Sequence, residues 1–322
     1  MIVVTGAFGF IGSNIVNALN KHGKTDIIVV DDLSDGHKIK NLPTANVADY
    51  FDKDDFLEKL SSNNLPYNID AIIHMGANSR TTDWDGKQMM RDNFEYTKFL
   101  FHYCHVNEIK LIYASSASIY GNRQKKFEEA DDTHPINAYA YSKFLADHYA
   151  LKNNLFSTMN LVGLRFFNVY GPGETFKGNM ASPVFQFNTQ ILQDNECRVF
   201  GAYDGFGAGE HMRDFVWVGD CVDICLWFLQ NDNKSGIYNI GSGSGSTFGT
   251  IANQVIKWHV ERRKVTAQRK VIPFPDHLKS SYQSYTLADI SKLRNAGYTR
   301  SATQVNDGIN TYLEWMNADL IL

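Results

Sequence analysis

Tyr139 and Lys143 stand four residues apart in the stretch NAYAYSKF, which begins a helix-like segment just after Pro135. Residues i and i+4 of a helix share one face, so we expect the lysine ammonium beside the tyrosine ring. A phenol with a pKa of about 10 needs a drop of roughly 3 units, or about 4 kcal/mol, to act as a base near neutrality. One cation within ~4–6 Å typically lowers a pKa by ~1–3 units. The pair is therefore either part of an amphipathic surface or a proton-transfer group that works beside a second positive charge.

A glycine triplet at the start of the chain predicts a dinucleotide site. Gly6, Gly9 and Gly12 lie in VVTGAFGFIGSN, between a strand-like and a helix-like segment. Glycine lets the backbone approach a pyrophosphate, which then rests on the helix N-terminus. The acidic pair Asp31 and Asp32, at the end of the next strand, suits ribose hydroxyls. An oxidised nicotinamide ring would supply the second positive charge beside the tyrosine.

The identity of the dinucleotide is left open by two downstream lysines. An acidic residue at this strand end normally favours NAD, because it would repel a 2′-phosphate. Lys38 and Lys53 follow shortly afterwards and either neutralise such a phosphate or are solvated surface lysines. Both NADP and NAD remain candidates at this point.

The composition is that of an ordinary globular protein, with 322 residues, 43% of them hydrophobic and 20% charged. The net charge of −4 argues against a nucleic-acid partner and requires local residues to hold any anionic ligand. No apolar run approaches the ~20 residues of a membrane helix, so we expect a cytoplasmic protein with no membrane partner. The four cysteines form no disulfide framework, and we expect no metal site.

Alternating strand-like and helix-like segments predict an α/β fold with a Rossmann-type, doubly wound parallel sheet. Six strands are expected up to MNLVGLRFFNVYG (159–171), with ANVADY (45–50) as the third, and RDFVWVGD and GIYNIGSG look like a return to the sheet. We therefore expect a dinucleotide-binding domain over residues 1–166 and about 213–245. A smaller, interleaved substrate-binding domain would occupy about 167–212 and 246–322.

Ser116 ends the strand-like stretch YASS, which places its hydroxyl at the carboxyl edge of the sheet, where ligands of open α/β folds bind. Ser116, Tyr139 and Lys143, in this order behind a glycine-rich first turn, resemble the extended short-chain dehydrogenase/reductase family. Within it, WDGKQMM, FKGNMAS, MRDFVWVGD and VIPFPDHLK resemble the nucleotide-sugar epimerases that act on ADP-heptose. The resemblance covers essentially the whole chain.

The resemblance implies an isomerase that oxidises C6 of the ADP-heptose transiently to a ketone with tightly bound NADP and returns hydride to the opposite face. It implies a role in lipopolysaccharide precursor synthesis and a homo-oligomer, with a pentamer as one form. Tyr139 would serve one face and Lys177, in FKGNMAS, the other. As a base, Lys177 needs its pKa lowered from about 10.4 to about 7–8. Its alternative role is a phosphate or surface contact.

The resemblance also implies binding residues at both ligands. At the cofactor these are Phe10, Ile11, Met75, Gly76, Ala77, Asn78, Ser79, Asn93 and Val169, together with Lys143 and Lys177. At the substrate they are Ser116, Asn168, Asn179, Gln186, Phe200, Arg213 and Tyr282. The planar guanidinium of Arg213 suits a diphosphate, because it can donate two parallel hydrogen bonds to phosphate oxygens. Met75 and the segment 201–212 depart from the family's pattern, which bears on cofactor contacts and on nucleotide choice.

Two other kinds of function are compatible with a dinucleotide-binding fold. A nucleotide-sugar 4,6-dehydratase needs a carboxylate at the end of the fifth strand, and this chain has Ser116, Ala117 and Ser118 there. Dehydration is therefore disfavoured relative to this or another nucleotide-sugar epimerisation. A non-catalytic dinucleotide sensor would not need the serine, tyrosine and lysines, all of which are present.

Overall fold

A computed structural model describes residues 1–279 and 282–320. In chain order its strands are β1 (Ile2–Thr5), β2 (Ile27–Asp31), β3 (Asp49–Asp52), β4 (Ala71–His74), β5 (Lys110–Ser116), β6 (Lys126–Phe127), β7 (Leu161–Phe166), β8 (Asn168–Tyr170), β9 (Glu196–Phe200), β10 (Met212–Trp217), β11 (Gly236–Ile240), β12 (Gly245–Thr247), β13 (Gln268–Ile272) and β14 (Leu287–Ala288).

The α-helices connect and cover these strands. They are α1 (Phe10–Lys21), α2 (Lys53–Ser61), α3 (Gly86–Met89), α4 (Tyr96–Val106), α5 (Ala138–Lys152), α6 (Leu155–Thr158), α7 (Pro183–Asp194), α8 (Val218–Gln230), α9 (Phe248–Arg263), α10 (Ser291–Asn295) and α11 (Val305–Met316). A π-helical segment, Met90–Glu95, joins α3 to α4, and short 3₁₀ segments include Gly36–Asn41, Ala117–Tyr120 and Thr175–Met180. No helix in the described ranges is long and apolar enough to span a membrane.

The main sheet confirms the predicted fold class. Its seven strands run in the order β11-β7-β5-β4-β1-β2-β3, and every neighbouring pair is parallel. Side chains alternate along these strands, so Val4 and Ile73 belong to the core under α1 and α8, whereas Val3 and Ile72 belong to the core under α4 and α5. Burial on both faces explains why these strands are almost entirely apolar.

The strand order reverses beside β1, which fixes where a ligand can bind. The chain passes from β1 outwards through β2 and β3, and then returns to β4 on the other side of β1. Connections that leave in opposite directions open a crevice at the carboxyl ends of β1 and β4. The glycine turn follows β1 and Gly76 follows β4, so both border that crevice.

The predicted sixth strand is divided between two sheets. β7 belongs to the main sheet, whereas β8 belongs to a three-stranded sheet in the order β12-β10-β8. The Phe167 amide donates to the Ile240 carbonyl at 2.9 Å before the chain turns to pair Asn168 with Phe215. The prediction that RDFVWVGD returns to the main sheet is therefore wrong, and only β11 does so. The predicted third strand, ANVADY, also begins too early, since β3 starts at Asp49.

The C-terminal helices α7, α9 and α11 pack around a separate core that includes Phe187, Val255 and Ile309. α7 begins after FKGNMAS because the Ser182 hydroxyl accepts a hydrogen bond from the Phe185 amide and Pro183 occupies the first turn. This places the segment that carries Lys177 between the main sheet and the C-terminal core. The four cysteines are free and buried.

Candidate functional site

The glycine turn is folded so tightly that side chains are excluded from it. Gly6 has φ +62°, and a Cβ there would lie 2.7 Å from the Gly76 backbone. A Cβ on Gly12 would lie 2.1 Å from the Gly6 carbonyl oxygen. The Gly9 amide donates to that carbonyl at 3.0 Å, and Phe10 and Ile11 begin α1. The turn therefore presents bare backbone at a helix N-terminus, as a pyrophosphate requires.

Asp31 and Lys38 form a linked pair at the end of β2. Asp31 Oδ2 accepts from the Phe8 amide at 2.8 Å, and Oδ1 accepts from Lys38 Nζ at 3.0 Å. The same ammonium donates to the Asp32 carbonyl at 2.7 Å. Lys38 is thus held against the acidic strand end, contrary to the interpretation of it as a freely solvated lysine.

Lys53 follows the end of β3, the strand next to β2, and adds a second cation to this edge of the sheet. It begins α2 directly after β3, and its ammonium contacts Asp54 at 2.9 Å. Hydrogen bonds from Ser34 lower the pKa of Asp32, and the charges of Lys38 and Lys53 lower it further. Both lysines are therefore close to the acidic pair at the edge of the dinucleotide crevice.

Asn93 fixes the turn that follows β4. Its Oδ1 accepts from the Asn78 amide at 2.8 Å, and its Nδ2 donates to the Asn78 carbonyl and to Ser142 Oγ, both at 2.9 Å. Asn93 lies in the π-helical segment, a type of helix that often occurs at functional sites. Met75 and Gly76 are partly buried there, and Ala77 and Ser79 are exposed. The turn and α5 are thus tied by one amide side chain.

His74 belongs to this site but was not identified from the sequence. The Gly76 amide donates to Thr5 Oγ1 at 3.1 Å, and Thr5 Oγ1 lies 2.6 Å from His74 Nδ1. On the other side of the ring, Nε2 lies 3.0 Å from Thr97 Oγ1, whose proton goes to the Asn93 carbonyl. Because that hydroxyl is already a donor, the ring must donate from Nε2 and accept at Nδ1. Burial lowers the pKa of His74 to about 3, and Lys143 adds to the shift, so the ring is neutral.

Ser116, Tyr139 and Lys143 come together at the carboxyl end of β5. Ser116 Oγ accepts from the Ser118 amide at 3.2 Å and from Ser118 Oγ at 2.9 Å, which leaves its own proton available to a third group. Tyr139 lies beside it, one residue into α5 after the N-cap Asn137. Lys143 is one turn further along α5, and its Nζ donates to the Ala114 carbonyl at 2.8 Å.

The electrostatics of this group differ from the expectation. Burial raises the pKa of the Tyr139 phenol, and only the interaction with Ser116 opposes that rise. Lys143 does not lower the phenol's pKa, because its ammonium is directed to the strand backbone. Burial also lowers the pKa of Lys143 to about 8, against the opposing charge of Asp147. The protein alone therefore holds the phenol protonated near neutrality.

Lys177 lies beside the start of α1. Its Nζ sits 5.3 Å from the centre of the Phe10 ring, at the first residue of α1. Burial lowers the pKa of the amine, which is the direction that a catalytic lysine needs, although Glu174 opposes the shift. Asn179, on the same segment, is exposed. Gln186, predicted at the substrate, instead donates to the Gly178 carbonyl at 2.7 Å and so supports this segment from α7.

Arg213 forms a buried cationic position further along the crevice. Its guanidinium lies 4.8 Å from the Tyr282 ring and 5.6 Å from the Phe248 ring, and it donates to the Met212 carbonyl at 3.0 Å. No carboxylate pairs with it within the described ranges. The buried Tyr282 hydroxyl likewise has no partner among those residues. Asn168 Oδ1 accepts from Thr286 at 2.9 Å nearby.

The divergent segment 201–212 builds an aromatic cluster beside this arginine. Tyr203 stacks on Phe274 with ring centres 4.2 Å apart, and His211 meets Tyr282 edge to face at 5.4 Å. Phe200 contacts Phe274 at 5.3 Å. His211 and Phe274 were not identified from the sequence, and the aromatic residues of the segment were the only available signal.

A cavity of about 990 Å³ lies apart from these groups, between α5 and α10. It is lined by the buried ion pair of Arg165 and Asp147, at 2.8 Å, and by none of the predicted site residues. Asp147 also accepts from Tyr113 and Ser115, so the pair is fully engaged within the fold.

Sequence comparisons match most of the chain to known proteins. The model of the family described as NAD dependent epimerase/dehydratase matches residues 2–241. ADP-L-glycero-D-manno-heptose-6-epimerase of Alkalilimnicola ehrlichii is 46% identical over 314 residues, which cover 98% of this chain and 97% of that protein. The region matched by the family model includes every element from β1 to β11.

Solved structures of similar proteins share the fold over nearly their whole length. ADP-L-glycero-D-manno-heptose-6-epimerase of Helicobacter pylori has a TM-score of 0.82 and 26% identity, covering 98% of this chain and 96% of that one. UDP-glucose 4-epimerase of Thermotoga maritima, solved with UDP-glucose, has a TM-score of 0.81 and 26% identity, covering 99% of both chains.

Proposed function

We propose that this chain, which belongs to the NAD dependent epimerase/dehydratase family, interconverts ADP-D-glycero-D-manno-heptose and ADP-L-glycero-D-manno-heptose by inversion at C6. The observation that carries the proposal is that two ionisable side chains contact different elements of the fold. Tyr139 lies beside Ser116 on α5, whereas Lys177 lies against the first residue of α1. Inversion by oxidation and re-reduction requires acid and base groups on two faces of one carbon.

The cofactor is a nicotinamide dinucleotide, and the residues present fit it. A Cβ at Gly6 or Gly12 would fill the backbone cradle where a diphosphate rests, and the ribose edge is formed by Asp31 and Asp32. Asn93 orders Gly76 to Ser79 along the same edge, with Val169 on β8. When bound, the dinucleotide supplies the hydride acceptor and, in its oxidised form, a positive charge.

Tyr139 would take the proton from the C6 hydroxyl as that carbon loses hydride, and Ser116 would donate its free proton to the same oxygen. Because burial raises the pKa of the phenol, the tyrosine depends on positive charge brought by the ligand. Lys143 holds α5 to β5 through its hydrogen bond to the Ala114 carbonyl. Once the resulting 6-ketone presents its other face, C6 would regain hydride and Lys177 would give a proton to the carbonyl oxygen.

NADP is the proposed form of the cofactor, because two lysines flank the ribose position. Lys38 already bonds to Asp31 and to the Asp32 carbonyl, and thereby compensates the carboxylate that would repel a 2′-phosphate. Lys53 approaches from the neighbouring strand. An isolated acidic strand end would instead favour NAD.

The substrate's diphosphate would bind at Arg213 and Tyr282, which offer a buried guanidinium and an unsatisfied hydroxyl. Asn168 and Asn179 would contact the sugar, Gln186 would support it through Gly178, and Phe200 would border the base. We also propose the division into a dinucleotide-binding and a substrate-binding domain described above, and a homo-oligomer, which sedimentation analysis would test.

The decisive experiment supplies each C6 epimer of the ADP-heptose separately to purified protein and follows the H6 and H5 resonances by NMR. We expect both samples to reach the same mixture, with the bound cofactor identified after denaturation. UDP-glucose and UDP-N-acetylglucosamine serve as controls for other epimerisations. A protein that retains cofactor and leaves both heptoses unchanged contradicts the proposal and supports a sensor, whereas a keto-deoxy sugar product supports a dehydratase.

A further inference from the structure

A buried carboxylate lies under the segment that carries Lys177. Glu174 is fully buried, and it stands between Gly171 and Ser182 at the base of that segment. Its Oε2 accepts from the Ser182 amide and its Oε1 from Ser182 Oγ, both at 2.6 Å, while the Gly171 amide lies 3.5 Å from Oε1. One side chain therefore joins the two ends of residues 171–182, which we name the Lys177 loop.

Two asparagine side chains hold the backbone at the start of the Lys177 loop. Asn14 donates to the Pro172 carbonyl at 2.8 Å, and Asn41 donates to the Gly173 carbonyl at 3.1 Å. At the tip, the Lys177 amide donates to the Glu174 carbonyl at 2.9 Å, and Gly178 has φ +53°. The tip is exposed on both sides of Lys177, and it is held by Glu174 at the base of the loop and by Gln186, which donates to the Gly178 carbonyl at 2.7 Å.

Burial raises the pKa of Glu174, and its hydrogen-bonding partners oppose that rise. The Ser182 amide, the Ser182 hydroxyl and the Gly171 amide all donate to the side chain, which favours its ionised form. The Tyr312 hydroxyl of α11 lies close to the carboxylate without hydrogen-bonding geometry. Lys177 is the cation that faces it, and Glu174 is the charged group that acts on Lys177 within the described part of the chain.

This arrangement links position and charge in one residue. The Lys177 ammonium rests over the Phe10 ring, and no carboxylate of residues 1–279 or 282–320 forms an ion pair with it. Burial in this place favours the neutral amine, whereas the negative charge of Glu174 favours the ammonium. A lysine that must give a proton in one direction of the reaction and take it in the other needs its two forms balanced near the working pH.

We propose that Glu174 is a positioning residue for the reaction, which closes the Lys177 loop through Ser182 and keeps the Lys177 amine partly protonated by its buried charge. The inference rests on the proposed function, because it gives Lys177 a proton-transfer role. It differs from a purely structural role in one respect: the charge of the carboxylate, and not only its hydrogen bonds, must affect turnover.

The test compares the pH dependence of kcat for the wild type and Glu174→Gln, measured with both heptose epimers. The amide keeps one strong acceptor for Ser182 and removes the charge. We expect the limb of the pH–kcat profile that reports the protonation of Lys177 to move to lower pH in both directions of the reaction. The reason is that loss of a nearby negative charge lowers the pKa of the amine. Glu174→Asp should restore the wild-type limb, even though its shorter side chain lowers kcat.

Asp220→Asn is the matched control. Asp220 accepts from the amide and hydroxyl of Thr303, both at 2.8 Å, in the same manner as Glu174 with Ser182, but it lies on α8. The limb should stay in place in this variant. Glu174→Ala, which removes the closure entirely, should lower kcat on the order of 100-fold, since a displacement of about 1 Å at a catalytic group has such an effect.

Cleavage by trypsin after Lys177 gives a readout that does not depend on turnover. We expect faster cleavage there in Glu174→Ala than in Asp220→Asn. A wild type that is inactive with both epimers contradicts the proposed function. If the wild type is active, an unshifted limb of the pH profile in Glu174→Gln overturns the inference about Glu174. Unchanged cleavage in Glu174→Ala also overturns it. If Glu174→Gln does not fold, a displaced limb in Glu174→Asp overturns it as well.

Discussion

Replacing Gly12 by alanine is the most direct test of the cofactor cradle. The added methyl carbon would lie 2.1 Å from the Gly6 carbonyl oxygen, about 0.9 Å inside the 3.0 Å limit that real Cβ atoms respect. The obstructing atom is backbone, so either α1 or the glycine turn must move by nearly that distance. Overpacking of this kind typically costs about 1–3 kcal/mol. For a chain of 322 residues, that corresponds to a fall in Tm of about 1–5 °C.

The same displacement should weaken cofactor binding, because the turn and the helix N-terminus form the diphosphate cradle together. A loss of about 1–3 kcal/mol of binding free energy corresponds to an affinity roughly 5–150-fold lower. The assay combines the cofactor content released on denaturation, the affinity for added dinucleotide and the Tm of each variant. Gly86→Ala is the control, since a Cβ there meets nothing within 4 Å. Wild-type cofactor content and Tm in Gly12→Ala, or equal losses in Gly86→Ala, would refute the reasoning.

Three further predictions concern single side chains. Tyr139→Phe should lower kcat by at least about 100-fold and leave cofactor bound, because general acid–base catalysis contributes this much; Tyr141→Phe, on the exposed face of the same helix, should keep near-normal turnover in the NMR assay. Lys38→Met should weaken NADP binding by roughly tenfold or more and NAD binding far less, since a charge-assisted contact to the 2′-phosphate is lost; equal effects on both dinucleotides, or an effect of Lys40→Met as large, would argue against this role. Because the folded-state pKa of His74 is lowered from 6.5 to about 3, its neutral form stabilises the fold above pH 6.5, and that stability is lost as the pH falls towards 3. Unfolding by denaturant between pH 7 and 4 should therefore show a steeper acid loss in the wild type than in His74→Gln, by up to several kcal/mol, and parallel curves would contradict it.

The fold and the family were predictable from the sequence because their signals are local. Strands such as IIVVD and AIIH are apolar up to their last residue, as strands buried on both faces tend to be. The glycine turn and the order of Ser116, Tyr139 and Lys143 likewise lie in short stretches. The comparisons confirm the family and the resemblance to heptose epimerases. The division of LVGLRFFNVY into two strands could not be predicted, because it depends on pairing between Asn168 and Phe215 from a later part of the chain.

The parts of the site that were missed depend on partners distant in sequence. His74 obtains its tautomer from Thr5 and Thr97, and nothing in the residues around it indicates that network. The pKa of Tyr139 was predicted from its spacing to Lys143, but spacing does not report burial or the direction in which the ammonium points. The roles assigned to the individual site residues stay predictions until variants are measured.

The four buried thiols can be used to follow where the protein unfolds. Cys221 and Cys225 lie in the layer beneath α1, Cys104 in the opposite layer, and Cys197 in the C-terminal core. Burial raises the pKa of each thiol, so alkylating reagents have no thiolate to attack while the layers remain closed. Pulse labelling with an alkylating reagent at increasing denaturant, followed by peptide mapping, would therefore show which of these cores is exposed first. It would also show whether bound dinucleotide protects the cores on the two faces of the main sheet more than it protects the C-terminal core.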